Sequence, residues 1–174
     1  TVFATTTRRG ATATLLRPTL IYGAGRDATL TRIAQLASRW GRFPLPRDAN
    51  GLRQPVHADD LAAAAFACVN TPATQGQTYA LPGGETLSYR EMVARVLACL
   101  KPPPKLIELP SPMFNAALFL AQLTGRATGL GEAAVRRMRS DLTFDIGPAQ
   151  RDFGYAPRAF HPRAQMFQPR SSEG

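Results

Sequence analysis

The sequence predicts an α/β fold, and three observations carry that reading. Short runs of β-forming residues alternate with longer stretches whose apolar residues recur at helical spacing. Helix-start chemistry, in the form of Asp, Ser and Ser-Pro caps, stands in front of those longer stretches. Pro- and Gly-rich breaks separate one element from the next, with no internal repeat and no low-complexity segment.

In chain order, "ATLLRPTLIY" from Ala13 to Tyr22 reads as a buried strand. Asp27 can cap a helix running through Trp40, with Leu30, Ile33, Ala34, Ala37 and Trp40 on one face. "GRFPLPRDANG" is a loop or edge segment, because proline cannot donate to a central ladder. Asp59 or Asp60 can cap the next helix, where Leu61, Ala64, Ala65 and Cys68 share a face. "GQTYAL" is a short strand. Ser88 and Glu91 form a capping box that opens a helix with Tyr89, Met92, Val93, Val96, Leu97 and Leu100 at helical spacing. "KPPP" ends that helix, and "KLIELP" follows as a strand. Ser111-Pro112 supplies an N-cap and a first-turn proline for a helix to about Thr124. A further helix lies around Glu132 to Arg139, followed by "LTFD", a short Asp145-capped turn, and "FGYAPRAFHP".

Composition narrows the function. The 174 residues suffice for one domain with a real core, and the 44% hydrophobic content is ordinary for a globular chain. There are 21 Lys and Arg against 12 Asp and Glu, a net charge of +9, which favours anionic ligands without selecting among them. Only Lys101 and Lys105 are lysines. Aromatic and basic residues are not interleaved as a nucleic-acid stacking platform requires, so nucleic acid is not an expected partner. Cys68 and Cys99 sit in apolar helical patterns and read as buried free thiols, in keeping with a reducing cytoplasm. Two His and two Cys, far apart in the chain, give no metal-ligand spacing. The most apolar stretch, Met113 to Leu123, is too short to span a bilayer, and no membrane partner is expected. A chain beginning at Thr1 rather than Met points to a fragment or a processed product.

"LIYGAGRDATL" contains G-x-G-x-x-A at Gly23, Gly25 and Ala28. A dinucleotide cradle needs this turn after a central strand, then a second strand ending in an acidic residue that binds the ribose. Here the first strand contains Arg17-Pro18, and the second would be "RFPLP", with Asp48 where the ribose carboxylate belongs. The bland alternative is a strand-to-helix turn that needs two flexible residues.

Four segments together resemble a known family. "LLRPTLIYGAGRD" is followed some thirty residues later by "RQPVHADDLAAA", then by "TYALPGGETLSYREMV", and finally by "FDIGPAQRDFGYAP". Their content and order resemble the C-terminal half of the extended and atypical short-chain dehydrogenases/reductases, the NAD-dependent epimerase/dehydratase family. The resemblance covers about Ala13 to Pro162. It implies the C-terminal part of a Rossmann-like NAD(P)-binding fold together with its small substrate-binding subdomain. Residues 1–26 would hold the late strand of the core and the following turn. Residues 27–162 would form the helices and short strands of the substrate-binding region, and residues 163–174 a flexible tail.

On this resemblance Gly23 and Gly25 are not the cofactor fingerprint. Pro18, Thr19 and Leu20 would lie near the nicotinamide of NAD or NADP, mainly through backbone groups. Tyr22 and Gly23 would edge a substrate cleft. Arg53 matches a family arginine that contacts the phosphates of a nucleotide sugar, a task suited to a bidentate guanidinium fork. His57 would be structural. Asp59 and Asp60, adjacent in the chain, cannot share a helix face as a paired acid/base site would need. No residue is expected to ligate a metal.

Departures from the family pattern bear on the activity. Leu20 stands where nucleotide-sugar enzymes often carry Asn. Neither G-x-x-G-x-x-G nor the catalytic Y-x-x-x-K occurs, so no catalytic residue is assigned, and hydride chemistry would need a portion N-terminal to Thr1. The resemblance therefore implies the substrate-binding portion of an oxidoreductase acting on a small molecule, nucleotide sugars included. The alternative is a non-catalytic dinucleotide-binding or scaffolding relative. The late strand expects a neighbour, either from the missing N-terminal half or from a second copy of the chain.

Overall fold

In the computed structural model, which describes residues 12–23, 27–123 and 132–167, the apolar run from Ala13 to Tyr22 forms two strands rather than one. β1 is Leu15–Pro18 and β2 is Ile21–Tyr22. The break has a local cause. The Thr19 N–H still donates to the Leu81 carbonyl at 3.3 Å, while its hydroxyl donates to the Gln54 carbonyl and the Leu20 carbonyl accepts from Val56 N at 2.9 Å. The chain thus changes partner strand at Thr19–Leu20. The expectation of burial is corrected as well: Leu15, Arg17, Pro18 and Ile21 are exposed.

The chain divides into two compact units, each assembled from three sequence segments. The first comprises residues up to Tyr22, Gln54–Glu85 and Thr143–Phe160. In it β1 pairs in parallel with β6 (Thr78–Leu81), with Leu15 opposite Thr78 and Pro18 opposite Leu81. β2 pairs in parallel with β5 (Val56–His57). Helix α2 (Ala58–Val69) lies between β5 and β6 in the chain. A further helix, Gly147–Phe153, opens with Asp145 Oδ1 accepting from Gly147 N at 2.8 Å, the expected Asp145 cap. Ala64, Tyr79, Leu81, Ala149 and Tyr155 form the core of this unit, with Leu16, Leu61, Ile146 and Phe153 packed against it.

The second unit comprises Gly23–Arg53, Thr86–Leu142 and the residues from His161 onward. Helix α1 (Thr29–Trp40) leads through Gly41, which adopts φ 64°, into β3 (Arg42–Pro46). β3 pairs in parallel with β8 (Lys105–Leu109), so the proline-rich segment forms half of a two-stranded ribbon. β4 (Leu52–Arg53) pairs antiparallel with β7 (Leu87–Ser88). Helix α3 (Tyr89–Ala98) packs against α1. Its capping box forms as expected, with Ser88 Oγ accepting from Glu91 N at 3.1 Å. Leu30, Ile33, Ala34 and Ala37 of α1 are buried, as are Met92, Val93, Val96 and Leu97 of α3. Helices α4 (Ser111–Leu123) and α5 (Glu132–Arg139) follow, and a 3-10 turn at Ala164–Phe167 buries Phe167. In chain order, the Gly147–Phe153 helix is α6.

Three helix expectations need correction. Trp40 is 49% exposed rather than part of the packed face of α1, because it is the last helical residue and the left-handed Gly41 turns the chain away. Ala65 of α2 is exposed. Neither Asp59 nor Asp60 caps α2. The cap is His57, whose Nδ1 accepts from Asp59 N at 3.2 Å, which puts both aspartates in the first helical turn. There they still favour the positive end of the helix dipole.

Candidate functional site

In an open parallel sheet, ligands gather beyond the carboxyl ends of the strands, where loops leave and backbone groups turn outward. In the first unit those ends are Pro18 of β1 and Leu81 of β6, with Tyr22 and His57 ending β2 and β5. Pro18 is exposed, and Thr19 and Leu20 are half-buried. The hydroxyl and N–H of Thr19 are held by Gln54 and Leu81, which fixes the backbone of the Pro18–Leu20 corner. The loop after β6 is pressed close to the loop before β5. A Cβ on Gly83 would lie 1.8 Å from the Pro55 carbonyl oxygen, and Gly83 N donates to Gln54 O at 3.0 Å. Only glycine allows that approach.

Behind the corner stands an aromatic cluster. Tyr22 is fully enclosed, with edge-on contacts to His57 at 5.0 Å and Phe160 at 4.8 Å between ring centroids. Its hydroxyl donates to the Ala159 carbonyl at 3.4 Å. Tyr22 is therefore part of the packed body of this unit, and a ligand would meet it only through the backbone or after movement of Phe160.

The same unit is fastened by three polar ties. Asp60 accepts from Arg158 N at 3.0 Å and from Arg158 Nε and Nη2, both at 2.8 Å. Tyr155 donates to the Pro82 carbonyl at 2.9 Å. Burial, aided by the Asp60 charge, pushes the Tyr155 phenol far above its ordinary value. Tyr79 donates to Asp152 Oδ2 at 2.5 Å. Burial first, then that hydrogen bond and the Asp152 charge, push its pKa up to about 12. Both phenols are neutral donors at any physiological pH. Asp60 and Arg158 are ties that sequence reasoning passed over. The two aspartates look equivalent as caps, and only the observed helix start decides which of them faces Arg158.

In the second unit, Gly23 has φ 90°, a backbone region that favours glycine, while Ala24, Gly25 and Arg26 lie outside the described residues. The start of α1 is already occupied by an anion. Asp27 Oδ1 accepts from Leu30 N at 2.7 Å and from Thr31 N at 3.0 Å, and Thr31 Oγ1 donates to Oδ2 at 3.0 Å. A pyrophosphate at this helix end would meet a carboxylate, which argues against a dinucleotide cradle and for a capped strand-to-helix turn.

Arg53 belongs to this unit and is only 5% exposed. Its Nη1 donates to the carbonyls of Leu52 at 2.6 Å and Ser140 at 2.8 Å, and its Nη2 donates to the Arg137 carbonyl. The guanidinium also sits 5.4 Å from the centre of the Tyr89 ring. Burial pulls its pKa below the ordinary value, opposed by Tyr89 and Asp141 and reinforced by Arg137. Arg53 thus closes the C-terminal end of α5, where free carbonyls and the helix dipole both attract a cation. A bidentate phosphate would have to displace one of those carbonyls. Of the six residues singled out in the sequence, Pro18, Thr19, Leu20 and Tyr22 belong to the first unit, and Gly23 and Arg53 to the second.

Among the described residues no group of three or more His, Cys, Asp or Glu could hold a metal ion, and no helix is long and apolar enough to cross a membrane. Cys68 is buried and Cys99 half-buried, and both are free thiols.

No family model matches the chain. It is similar to a 2-alkyl-3-oxoalkanoate reductase from Stenotrophomonas maltophilia (strain K279a), at 31% identity over 158 residues that cover 82% of this chain and 46% of the relative. It is also similar to a UDP-glucose 4-epimerase from Vibrio cholerae, at 26% identity over 158 residues that cover 88% of this chain and 46% of the relative. Among solved structures it is similar to a dTDP-glucose 4,6-dehydratase from Streptomyces venezuelae with NAD and TYD bound, with a TM-score of 0.59 and 18% identity over 90% of this chain and 42% of that one. The chain thus spans less than half the length of each relative. The structural likeness shows a Rossmann-like α/β fold.

Proposed function

The chain belongs to the NAD-dependent epimerase/dehydratase family of extended short-chain dehydrogenases/reductases, and from that premise we propose that it is the substrate-binding C-terminal portion of an NAD(P)-dependent oxidoreductase. The observation that carries this reading is the pinned corner at Pro18, Thr19 and Leu20, on the carboxyl end of a parallel strand whose side chains are partly exposed. The corner fits a nicotinamide as a backbone wall, since the Thr19 hydroxyl and N–H are already engaged within the chain. When bound there, NAD or NADP would take up and return a hydride at a carbinol carbon of the substrate.

The roles of the chain's own residues follow. Pro18, Thr19 and Leu20 hold one wall of the cofactor site rigid, backed by the Tyr22, His57 and Phe160 cluster. Leu20 makes the substrate side of that wall apolar. Gly23, buried in the second unit, is a candidate substrate contact on the family resemblance alone. Arg53 is the phosphate contact if the substrate is a nucleotide sugar, and it serves that role by exchanging the Ser140 or Arg137 carbonyl for a phosphate oxygen. The acid/base pair is supplied by the N-terminal half of the polypeptide, which also pairs with the second edge of β1; a second copy of the chain is the other candidate for that edge. The free thiols are in keeping with a cytoplasmic location.

The test is to express the chain together with the reading frame that precedes it and to follow nicotinamide reduction with alcohol and nucleotide-sugar substrates. Turnover that is lost on replacing the Tyr of an upstream Y-x-x-x-K is the expected result. NAD(P) binding without turnover would favour a dinucleotide-binding relative that has lost its chemistry, and no NAD(P) binding would overturn the reading.

A further inference from the structure

Several of the described cations are engaged within the chain. Arg53 holds α5, Arg90 pairs with Glu108, Arg95 with Glu91, Arg139 with Asp48 and Arg158 with Asp60. One end of the second unit gathers several that are not. Residues 28–47 and 92–107 hold seven Lys and Arg and no Asp or Glu. The β3–β8 register brings them together, with Arg42 directly opposite Lys105 and Lys105 N donating to the Gly41 carbonyl at 3.0 Å. Arg39 lies in the last turn of α1 just before this point, and Lys101 lies in the loop between α3 and Lys105. Arg39, Arg42, Lys101 and Lys105 are all exposed, and none has an ion-pair partner among the described residues. Both lysines of the chain are in this group.

Like charges facing each other across neighbouring strands are destabilising. The bland explanation is that they complement the C-terminal ends of α1 and α3. Each helix end contributes about −0.5 of a charge, so together they offset about one of four cations. A surplus of about three positive charges remains on this surface, and it favours an anionic ligand. Trp40, the only tryptophan, lies between Arg39 and Arg42 and is half exposed. Helical spacing puts it on the packed face of α1, which is why the sequence does not show it as an aromatic among cations.

We propose that the amino-terminal end of the β3–β8 ribbon is a binding site for the oligophosphate group of an anionic ligand. Arg42 and Lys105 would grip it from adjacent strands, Arg39 and Lys101 would flank it, and the Trp40 indole would offer a stacking surface to an attached ring. Binding there is independent of the nicotinamide reading.

The experiment uses the intrinsic fluorescence of the chain, which reports on this surface alone because Trp40 has no companion. Inorganic tripolyphosphate is titrated at low ionic strength against sulfate at matched ionic strength, with calorimetry in parallel. The expected result is saturable binding of tripolyphosphate, weakened about tenfold or more in an Arg42→Gln, Lys105→Gln double variant that unfolds at the same or a higher temperature. A nucleoside triphosphate that binds more tightly than tripolyphosphate assigns the site to nucleotides, and equal binding assigns it to the phosphate chain. Silence in both fluorescence and calorimetry, an equal response to sulfate, or unaltered affinity in the double variant would each overturn the proposal.

Discussion

The guanidinium carbon of Arg53 lies 5.4 Å from the centroid of the Tyr89 ring, and its two terminal nitrogens donate to the carbonyls of Leu52, Arg137 and Ser140. A side chain carried by a two-residue strand thereby anchors a helix some eighty residues further along the chain. Replacing it by Arg53→Met keeps much of the volume but strands the carbonyls. Stability in urea should fall by about 2–4 kcal/mol. Arg53→Lys should restore less than half of that, because an ammonium cannot span acceptors in a planar fork. A loss under about 0.5 kcal/mol for Arg53→Met would be the figure for an ordinary surface residue and would rule out the anchoring role.

Adjacent Asp59 and Asp60 should behave differently. The Asp60 side chain is 11% exposed and holds both the backbone and the side chain of Arg158, whereas that of Asp59 is 70% exposed. Asp60→Ala should cost about 1–2 kcal/mol in thermal or denaturant unfolding, and Asp59→Ala less than about 0.5 kcal/mol. Equal losses would mean that their shared place in the first turn of α2, rather than Arg158, sets their contribution.

Gly83 has no room for a side chain, since a Cβ would stand 1.8 Å from the Pro55 carbonyl oxygen. That atom is backbone and cannot rotate aside. Gly83→Ala should therefore cost more than about 2 kcal/mol or abolish soluble expression. A Gly41→Ala variant, with φ 64° but open space around it, should lose only about 1 kcal/mol, the ordinary cost of a left-handed residue. The ratio of the two losses, read by urea unfolding, checks whether contact or backbone conformation dominates.

Tyr79 makes stability fall at alkaline pH. Its phenol ionises near 10 in an unfolded chain but only at about 12 here, because burial and the bond to Asp152 favour the neutral form. The folded state therefore holds the proton more tightly than the unfolded state. The contribution is complete below pH 10 and is lost as pH rises through about 12. Tyr79→Phe should make the decline of unfolding free energy across that window shallower without abolishing it, and tyrosinate absorbance of the folded variant should show one late-titrating phenol fewer than the wild type, with Tyr155 still among those that remain.

The helices of this protein were legible in its sequence because they are written in local chemistry. The Ser88–Glu91 box, the Asp27 and Asp145 caps and the apolar spacing of α1 and α3 all act within about one or two helical turns, so their signal survives in a linear reading. Much of the candidate site was legible as well, since the Arg17-Pro18 pair and the run around His57 stand out as residues. What those residues touch was not. The switch of partner at Thr19, the exposure of Trp40, the choice of His57 over the aspartates as cap, and the occupation of Arg53 depend on where one helix starts or on contacts between distant segments. Arg53 and the Ser140 carbonyl are 87 positions apart. The sequence by itself determined which segments become the longer helices, because helix hydrogen bonds and caps close over a few residues, whereas most of the short strands depend on a distant partner. Only the tertiary structure decided which polar groups are spent on holding the fold and which are left to meet a ligand, because burial pairs each of them with whatever donor or acceptor the packed chain brings within reach.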